Sequence, residues 1–263
     1  MRHVPWIIAH RGASAHAPEN TLAAFQMAIE AGADGIEFDV RLAADGVPVV
    51  IHDANLERTG MRHGVVAEMK SKELGELEVG SWFNAKFPKK ASPAFANETV
   101  PTLESSLKLF EKFDGMIYIE LKGDRDFRAL ARAVCSEIEN SSLLPRIIVK
   151  SFKLALIPEI RHHLPDVATA ALFSPDIMKF LRRRRHILAA ARQFGASQIS
   201  LHKSLVTRSL MDRANLANIP VTVWTADNPR WINRCRNLGI GALITNDPGK
   251  MIAAQMDWII GSL

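Results

Sequence analysis

The chain has 263 residues, of which 48% are hydrophobic and 23% are charged, and 33 Lys and Arg against 28 Asp and Glu give a formal net charge of +5. This globular balance excludes a disordered chain, and the length suits one large α/β domain or two small ones. Two cysteines exclude a disulfide scaffold and a cysteine-based zinc site, and the diffuse positive charge gives no reason to expect a nucleic-acid partner.

Short apolar runs bear on localisation and on membrane contact. Residues 6–9 form a run far too short for the apolar core of a signal peptide, and no stretch approaches the roughly 20 apolar residues that a membrane span needs. We therefore expect a cytoplasmic protein with reduced thiols and no stable membrane insertion. The oligomeric state stays open, since no long heptad pattern stands out.

Runs rich in β-forming residues alternate with helical patterns along the chain. The predicted strands are residues 6–9, 36–40, 47–51, 116–121, 146–150, 167–172, 198–201, 219–224 and 241–245. The predicted helices are residues 21–31, a helix opened by Thr102, and residues 127–139, 177–194, 204–217 and 229–238. Asn20 is the expected N-cap of the first helix, and Gly32, Gly195 and Gly239 stand where helices should end.

Repeated β–α units indicate a parallel sheet, either a closed (β/α)₈ barrel or a doubly wound sheet. Nine strand candidates are one more than a barrel needs. The turn sequence AADG at residues 43–46 is a hairpin signal, so we interpret residues 47–51 as a hairpin partner rather than a regular barrel strand. Residues 59–99 show no clear β–α unit, and we interpret them as an insertion on the barrel rim, either a functional lid or a packed structural excursion.

Charged and imidazole side chains cluster at the ends of four predicted strands. They are His10 and Arg11, Glu37 and Asp39, His52 and Asp53, and Glu120 and Lys122. Residues two apart on a strand point to the same face, and in a parallel barrel the C-terminal strand ends carry the chemistry. Any one of these pairs is typical of an ordinary strand, but burying all of them has no structural purpose, so their convergence predicts an active site.

This set of side chains suits phosphodiester cleavage. Glu37, Asp39 and Glu120 offer hard oxygen ligands to Mg²⁺ or Ca²⁺, while Arg11 and Lys122 can neutralise a phosphate. Such a cation polarises the phosphoryl group, one histidine activates a nucleophile, and the other protonates the leaving alcohol.

An ordered set of motifs resembles the glycerophosphodiester phosphodiesterase family over nearly the whole chain. The motifs are HRGAS at 10–14, APENT at 17–21, EFDV at 37–40, DGVPVVIHD at 45–53, RTG at 58–60, GSWF at 80–83, VPTLE at 100–104, ELK at 120–122, SF at 151–152, WT at 224–225 and ITNDP at 244–248. The resemblance implies a (β/α)₈ TIM barrel as one domain, residues 1–263, with a small inserted subdomain at 59–99 on its C-terminal rim. It also implies metal-dependent hydrolysis of glycerophosphodiesters, such as glycerophosphocholine or glycerophosphoethanolamine, to sn-glycerol 3-phosphate and an alcohol.

The resemblance assigns three groups of site residues by matching position. The implied general acid–base pair is His10 and His52. The implied ligands of one divalent cation, Mg²⁺ or Ca²⁺, are Glu37, Asp39 and Glu120. The implied substrate contacts are Arg11, Lys122 and Trp224, the last as an apolar wall for the glycerol moiety. Glu19 is expected to orient Arg11 or to join the outer shell of the metal.

Departures from the family pattern are few. Ala226 and Asp227 follow the Trp-Thr pair in place of Val-Asn, Lys153 follows Ser-Phe where an acidic or small residue is frequent, and Asn246 stands where an acidic residue is common. We expect them to lie away from the proposed chemistry and to bear on the alcohol head group rather than on the reaction class. A basic run at residues 182–185 is interpreted as a solvated helix face.

Two alternatives remain open at this point. A lysophospholipase D-like or cyclising phosphodiesterase would use the same residues, and the cyclising enzyme would release a cyclic phosphate after attack by a substrate hydroxyl. A catalytically silent binding barrel would be favoured by loss of a carboxylate ligand or of a histidine, and none is lost in this sequence.

Overall fold

A closed parallel barrel organises the molecule in the computed structural model, which describes residues 4–123, 126–176 and 186–260. Its strands are β1 (Trp6–His10), β2 (Gly35–Leu42), β3 (Pro48–Val50), β4 (Met116–Leu121), β5 (Ile147–Ser151), β6 (Ala168–Phe173), β7 (Gln198–His202), β8 (Val221–Trp224) and β9 (Ala242–Thr245). β1 pairs with both β2 and β9, which closes eight parallel strands into a ring. β3 runs antiparallel to β2. The predicted (β/α)₈ barrel and the predicted hairpin are both confirmed, and the doubly wound alternative is excluded.

Helices cover the outside of the barrel. They are α1 (Leu22–Glu30), α2 (Ser71–Gly75), α3 (Ser81–Lys86), α4 (Leu103–Phe110), α5 (Phe127–Glu139), α6 (Leu156–His163), α7 (His186–Gln193), α8 (Arg208–Leu216), α9 (Arg230–Leu238) and α10 (Pro248–Ile260). The sequence analysis did not predict α2, α3, α6 or α10. None of these described helices has the length and apolar character that crossing a bilayer would require.

The start of α1 differs from the prediction. Thr21 caps this helix, because its side-chain oxygen accepts a hydrogen bond from the Ala24 backbone N–H at 3.2 Å. The N-cap prediction at Asn20 is wrong: Asn20 has a φ of +60° and donates its side-chain amide to Asp39 Oδ2 at 3.0 Å. The side chain of Asn20 therefore binds Asp39, a residue distant in the sequence, instead of capping the helix.

Two other predicted helices correspond to shorter helices among the described residues. The helix expected at 204–217 begins at Arg208, capped by Thr207, because residues Lys203–Leu205 form a 3₁₀ turn. Of the helix expected at 177–194, the structure describes α7, and the basic run at residues 182–185 lies outside the described residues.

The barrel interior changes from apolar to charged along its axis. Its apolar layer consists of Ile8, Tyr118, Ile148, Ala170, Ala242 and Ile244. Two positions further along β4 and β5, on the same face, stand Glu120 and Lys150, because side chains alternate between the two faces of a strand. The opposite face of β2 carries Phe38, whose ring packs 5.4 Å from that of Phe25 on α1. Apolar packing thus fixes the strands that carry the charged layer at their carboxyl ends.

The segment between β3 and α4 contains several short helices joined by turns and loops. Phe83 of α3 is fully buried and packs with Ala17, Ala24 and Phe95. A second apolar cluster joins Leu56, Val66 and Leu74 to the β2–β3 hairpin. Phe83 therefore packs the segment against α1 rather than standing over the barrel mouth.

Candidate active site

Strand register brings three carboxylates together at the barrel mouth. Asp39 on β2 pairs with Glu120 on β4, and Glu37 lies two residues before Asp39 on the same interior face. One carboxylate oxygen from each residue lies within 4.8 Å of the others, and all three side chains are buried. The structure thus brings together the three residues that the sequence suggested as metal ligands.

Two lysines reach this acidic cluster. Lys122 Nζ lies 2.9 Å from Asp39 Oδ1 and also contacts Glu120 Oε1. Lys150 Nζ lies 2.7 Å from Glu37 Oε1 and 4.0 Å from Glu120 Oε2. Lys150 is only 2% exposed, because β5 pairs with β4 in a register that sets it opposite Glu120. The sequence analysis did not identify Lys150. A lysine near the end of the otherwise apolar strand IIVKS could have indicated it.

The three carboxyl groups respond differently to burial. Burial raises the pKa of Asp39, but Arg11 and Lys122 outweigh it and hold that pKa well below its usual range. At Glu37 burial is likewise opposed, chiefly by Lys150, and the pKa is lowered. The pKa of Glu120 is raised, because burial together with the neighbouring carboxylate of Asp39 outweighs Lys122. Of the three carboxyl groups, Glu120 is therefore the least easily ionised.

A hard divalent cation fits this donor set. Mg²⁺ and Ca²⁺ prefer carboxylate oxygens, with metal–oxygen distances of about 2.0–2.1 Å and 2.3–2.6 Å, so their ligating oxygens lie within about 5 Å of one another. The spacing of the Glu37, Asp39 and Glu120 oxygens falls in that range. The positive charge of a bound cation would also lower the raised pKa of Glu120.

A chain of ion pairs links Arg11 to His52. Arg11 Nη1 donates to Glu19 Oε1 at 2.7 Å, and Arg58 binds both oxygens of Glu19 at 2.7 and 2.9 Å. Arg58 Nε donates to Asp53 Oδ2 at 2.5 Å, and Asp53 Oδ1 lies 2.6 Å from His52 Nδ1. Glu19 therefore orients Arg11, as one of its two expected roles required. Arg58 was part of a recognised motif but had been given no role.

The two histidines each present a constrained ring. His10 Nδ1 lies 2.6 Å from Asn246 Oδ1, and His10 Nε2 lies 3.8 Å from Glu37 Oε2. His52 has its Nδ1 beside Asp53. Burial lowers the pKa of both histidines, so both imidazoles are neutral at neutral pH in the resting protein. Because each Nδ1 has a partner, the Nε2 atoms are the ones available for proton transfer.

Aromatic rings line one side of the mouth. The ring of Trp224, at the end of β8, lies 5.5 Å from Phe152 and 5.1 Å from His202, both edge to face. Phe152 in turn lies 6.0 Å from Lys122 Nζ. Trp224 thus stands in an aromatic group that extends to the acidic cluster.

The fold and the charged mouth define the class of protein: a (β/α)₈ TIM barrel with its polar residues at the C-terminal strand ends, where such barrels carry their chemistry. The more particular assignment comes from comparison with known proteins. Residues 10–250 match the model of the Glycerophosphoryl diester phosphodiesterase family, and the chain belongs to that family.

Relatives of known sequence and structure agree along the whole barrel. The chain is 34% identical to YhdW of Bacillus subtilis over 247 residues, covering 94% of this chain and 96% of YhdW. It is 30% identical over 249 residues to a glycerophosphodiester phosphodiesterase of Caldanaerobacter subterraneus, covering 94% of this chain and 96% of the relative. The crystal structure of a Silicibacter pomeroyi protein superposes with a TM-score of 0.87 at 28% identity, covering 98% of this chain and 95% of the other. An Oleispira antarctica phosphodiesterase, solved in complex with the product sn-glycerol-3-phosphate, has the same fold, with a TM-score of 0.81 at 24% identity over 95% of this chain and 96% of that one.

Proposed function

We propose that this phosphodiesterase hydrolyses glycerophosphodiesters, such as glycerophosphocholine and glycerophosphoethanolamine, to sn-glycerol 3-phosphate and an alcohol with one bound Mg²⁺ or Ca²⁺. The observation that carries the proposal is the buried Glu37–Asp39–Glu120 cluster with His10 Nε2 beside it. The Oleispira relative with its bound product supports the choice of the glycerol phosphate side as the part recognised.

Each group of residues has a distinct role in the proposed site. The carboxylates would hold the cation, which supplies charge neutralisation and polarisation of the phosphoryl group. Arg11 and Lys122 carry the positive charge that contacts the phosphate oxygens, and Glu19 keeps the guanidinium of Arg11 in place. Trp224 offers an apolar wall to the glycerol moiety.

Proton transfer falls to His10 and His52. A water oxygen forms a bond to phosphorus as one imidazole Nε2 takes its proton. The bond between phosphorus and the alcohol oxygen breaks as the other ring, which must take up a proton from solvent before this step, gives that oxygen a proton. An alkoxide leaves poorly at neutral pH, so the acid is as necessary as the base. The Nδ1 contacts to Asn246 and Asp53 keep both rings in orientations that serve this transfer.

We also propose a single catalytic domain, residues 1–263, in which residues 59–99 act as an inserted subdomain. Two anchors support this division: Arg58, directly before the segment, pairs with Glu19, and Phe83 within the segment packs with Ala24 of α1.

The test compares Glu37→Gln with Glu111→Gln, a matched change at an exposed glutamate. Release of glycerol 3-phosphate from glycerophosphocholine is followed with Mg²⁺ and with Ca²⁺ in a dehydrogenase-coupled assay. A cation contribution of several kcal/mol corresponds to a loss of at least about 100-fold in kcat for Glu37→Gln, with the control near wild type. Full activity in Glu37→Gln would overturn the proposed site.

Phosphorus NMR of the same reaction separates hydrolysis from the cyclising alternative. Direct attack by water gives glycerol 3-phosphate with no cyclic phosphate at any time. A cyclic phosphate as end product would overturn the assignment of water as nucleophile and favour attack by a substrate hydroxyl.

A further inference from the structure

We propose that Asp227 and Asn246 are positioning residues that fix the tautomer of His10, so that its Nδ1 carries the proton and its Nε2 presents a lone pair to the barrel mouth. The proposal deepens the proposed function, on which the role of His10 rests. The sequence linked both residues only to the alcohol head group and placed them away from the chemistry, and the contact of Asn246 with His10 corrects that expectation.

The orientation of the Asn246 amide is fixed by Asp227. The Asn246 backbone N–H donates to Asp227 Oδ1 at 2.7 Å, and the side-chain Nδ2 donates to Asp227 Oδ2 at 3.0 Å. Thr245 Oγ1 also donates to Asp227 Oδ1, at 2.9 Å. A carboxylate accepts and does not donate, so the Nδ2 edge of Asn246 must face Asp227.

The oxygen edge of the same amide therefore faces His10. Asn246 Oδ1 lies 2.6 Å from His10 Nδ1 and 3.1 Å from Ser14 Oγ. The single proton of Ser14 Oγ is shared between Asn246 Oδ1 and the His10 carbonyl oxygen, which lies 2.8 Å away. An amide oxygen only accepts, so the neutral His10 ring must carry its proton on Nδ1.

The consequence is a defined proton acceptor. His10 Nε2 lies 3.8 Å from Glu37 Oε2, on the side where the acidic cluster stands. With the proton held on Nδ1, this nitrogen has its lone pair free. In the other tautomer Nε2 would carry a proton and could take none from water.

The two histidines are held by different groups. His52 Nδ1 faces the carboxylate of Asp53 directly. His10 Nδ1 instead faces the neutral amide of Asn246, and the carboxylate of Asp227 behind that amide sets its orientation. An amide can rotate by half a turn and exchange its donor and acceptor edges. Removing the charge at Asp227 should therefore disturb the His10 tautomer without removing any atom that contacts His10.

The decisive variant is Asp227→Asn, with Asp212→Asn on the exposed face of α8 as the matched control. In this variant the amide oxygen at position 227 must face the Asn246 backbone N–H. The NH₂ group at position 227 then faces Asn246 Nδ2, which is also a donor. The side-chain amide of Asn246 should therefore rotate by half a turn, so that Nδ2 faces His10. Adding Asn246→Asp in a double variant restores an acceptor on both sides, because a carboxylate has no donor edge.

The primary readout is the tautomer itself. ¹⁵N-histidine-labelled, EDTA-treated protein is examined by two-bond ¹H–¹⁵N correlation near pH 8, where unperturbed histidine is neutral, and His10 is assigned from its loss in His10→Gln. Wild type, the Asp212→Asn control and the double variant are expected to show the Nδ1–H form, and Asp227→Asn the Nε2–H form. An Nε2–H form in wild type, or an unchanged Nδ1–H form in folded Asp227→Asn, would overturn the proposal.

Turnover gives a second, independent readout. Asp227→Asn should lower kcat by about 10²- to 10⁴-fold, as wrong-tautomer and outer-shell changes do, with little change in KM, and Asn246→Asp should recover most of the loss. A double variant no better than the folded single variant would count against the proposal. A wild type with the expected tautomer but no release of glycerol 3-phosphate would overturn the proposed function while supporting the positioning role.

Discussion

Lys150→Met removes a charge that the folded barrel holds almost out of contact with water. Methionine keeps a similar chain length, so packing beneath the acidic cluster changes little. What changes is Glu37, which is 1% exposed and loses the ammonium at 2.7 Å from its Oε1. Glu37 keeps the Arg11 backbone N–H, 3.3 Å from Oε2, as a hydrogen-bond donor.

The magnitude follows from breaking a buried ion pair. Leaving one member of such a pair buried and unpaired costs about 3–5 kcal/mol, and neither residue is exposed enough for solvent to reduce that figure. For a chain of this size each kcal/mol lowers Tm by about 2 °C, so we expect Lys150→Met to melt about 6–10 °C below wild type in EDTA. Saturating Mg²⁺ or Ca²⁺ should reduce this difference in Tm between Lys150→Met and wild type, because a bound cation replaces part of the missing charge.

The assay is calorimetric unfolding in EDTA and in each cation, for wild type, Lys150→Met, and a double variant with Glu37→Gln. The double variant removes both charges, and it should regain most of the stability that the single variant loses in EDTA. A single variant that melts within about 2 °C of wild type, or a double variant less stable than the single one, would refute the reasoning.

Other predictions concern the histidines and the aromatic wall. His52→Ala is expected to lower kcat at least about 100-fold with an unchanged circular dichroism spectrum, and near-normal turnover would contradict its role. Asp53→Asn should lower kcat about 10- to 100-fold with little effect on KM, and an effect on KM alone would show a binding role instead. In EDTA, the free energy of unfolding from urea titrations should fall as pH drops below about 6.5, because burial lowers the pKa of His10 and of His52 and the unfolded chain then binds more protons than the folded one. His10→Gln should reduce the slope of the free energy of unfolding against pH in that range. An equal slope in wild type and in His10→Gln would contradict the contribution of His10. Trp224→Ala should raise KM for glycerophosphocholine more than it lowers kcat, and an effect on kcat alone would place the ring elsewhere in the reaction.

The strands and the acidic cluster could be predicted because their signals are local. Apolar runs of strand length mark β2 and β4, and residues two apart on one strand share a face, so Glu37 and Asp39 had to point together. The turn at residues 43–46 likewise predicted the β2–β3 hairpin.

Contacts that depend on register between distant strands could not be read in the same way. Lys150 belongs to the cluster because β5 sets it opposite Glu120, and a single sequence does not give that register. Asp227 and Asn246 were noted as departures from the family pattern, but their hydrogen bonds to each other appear only when β8 and β9 pair. Asn20 failed as a predicted cap for the same reason, since a strand residue, Asp39, takes its side chain.

The central claim is a cation-dependent phosphodiester hydrolysis at the Glu37–Asp39–Glu120 cluster. The most direct measurement is release of glycerol 3-phosphate from glycerophosphocholine by EDTA-stripped wild-type protein, before and after Mg²⁺ or Ca²⁺ is returned in excess. The account predicts negligible release in EDTA and recovery on addition of at least one of the two cations. Steady turnover in EDTA, or no turnover with either cation from a folded protein, would contradict it.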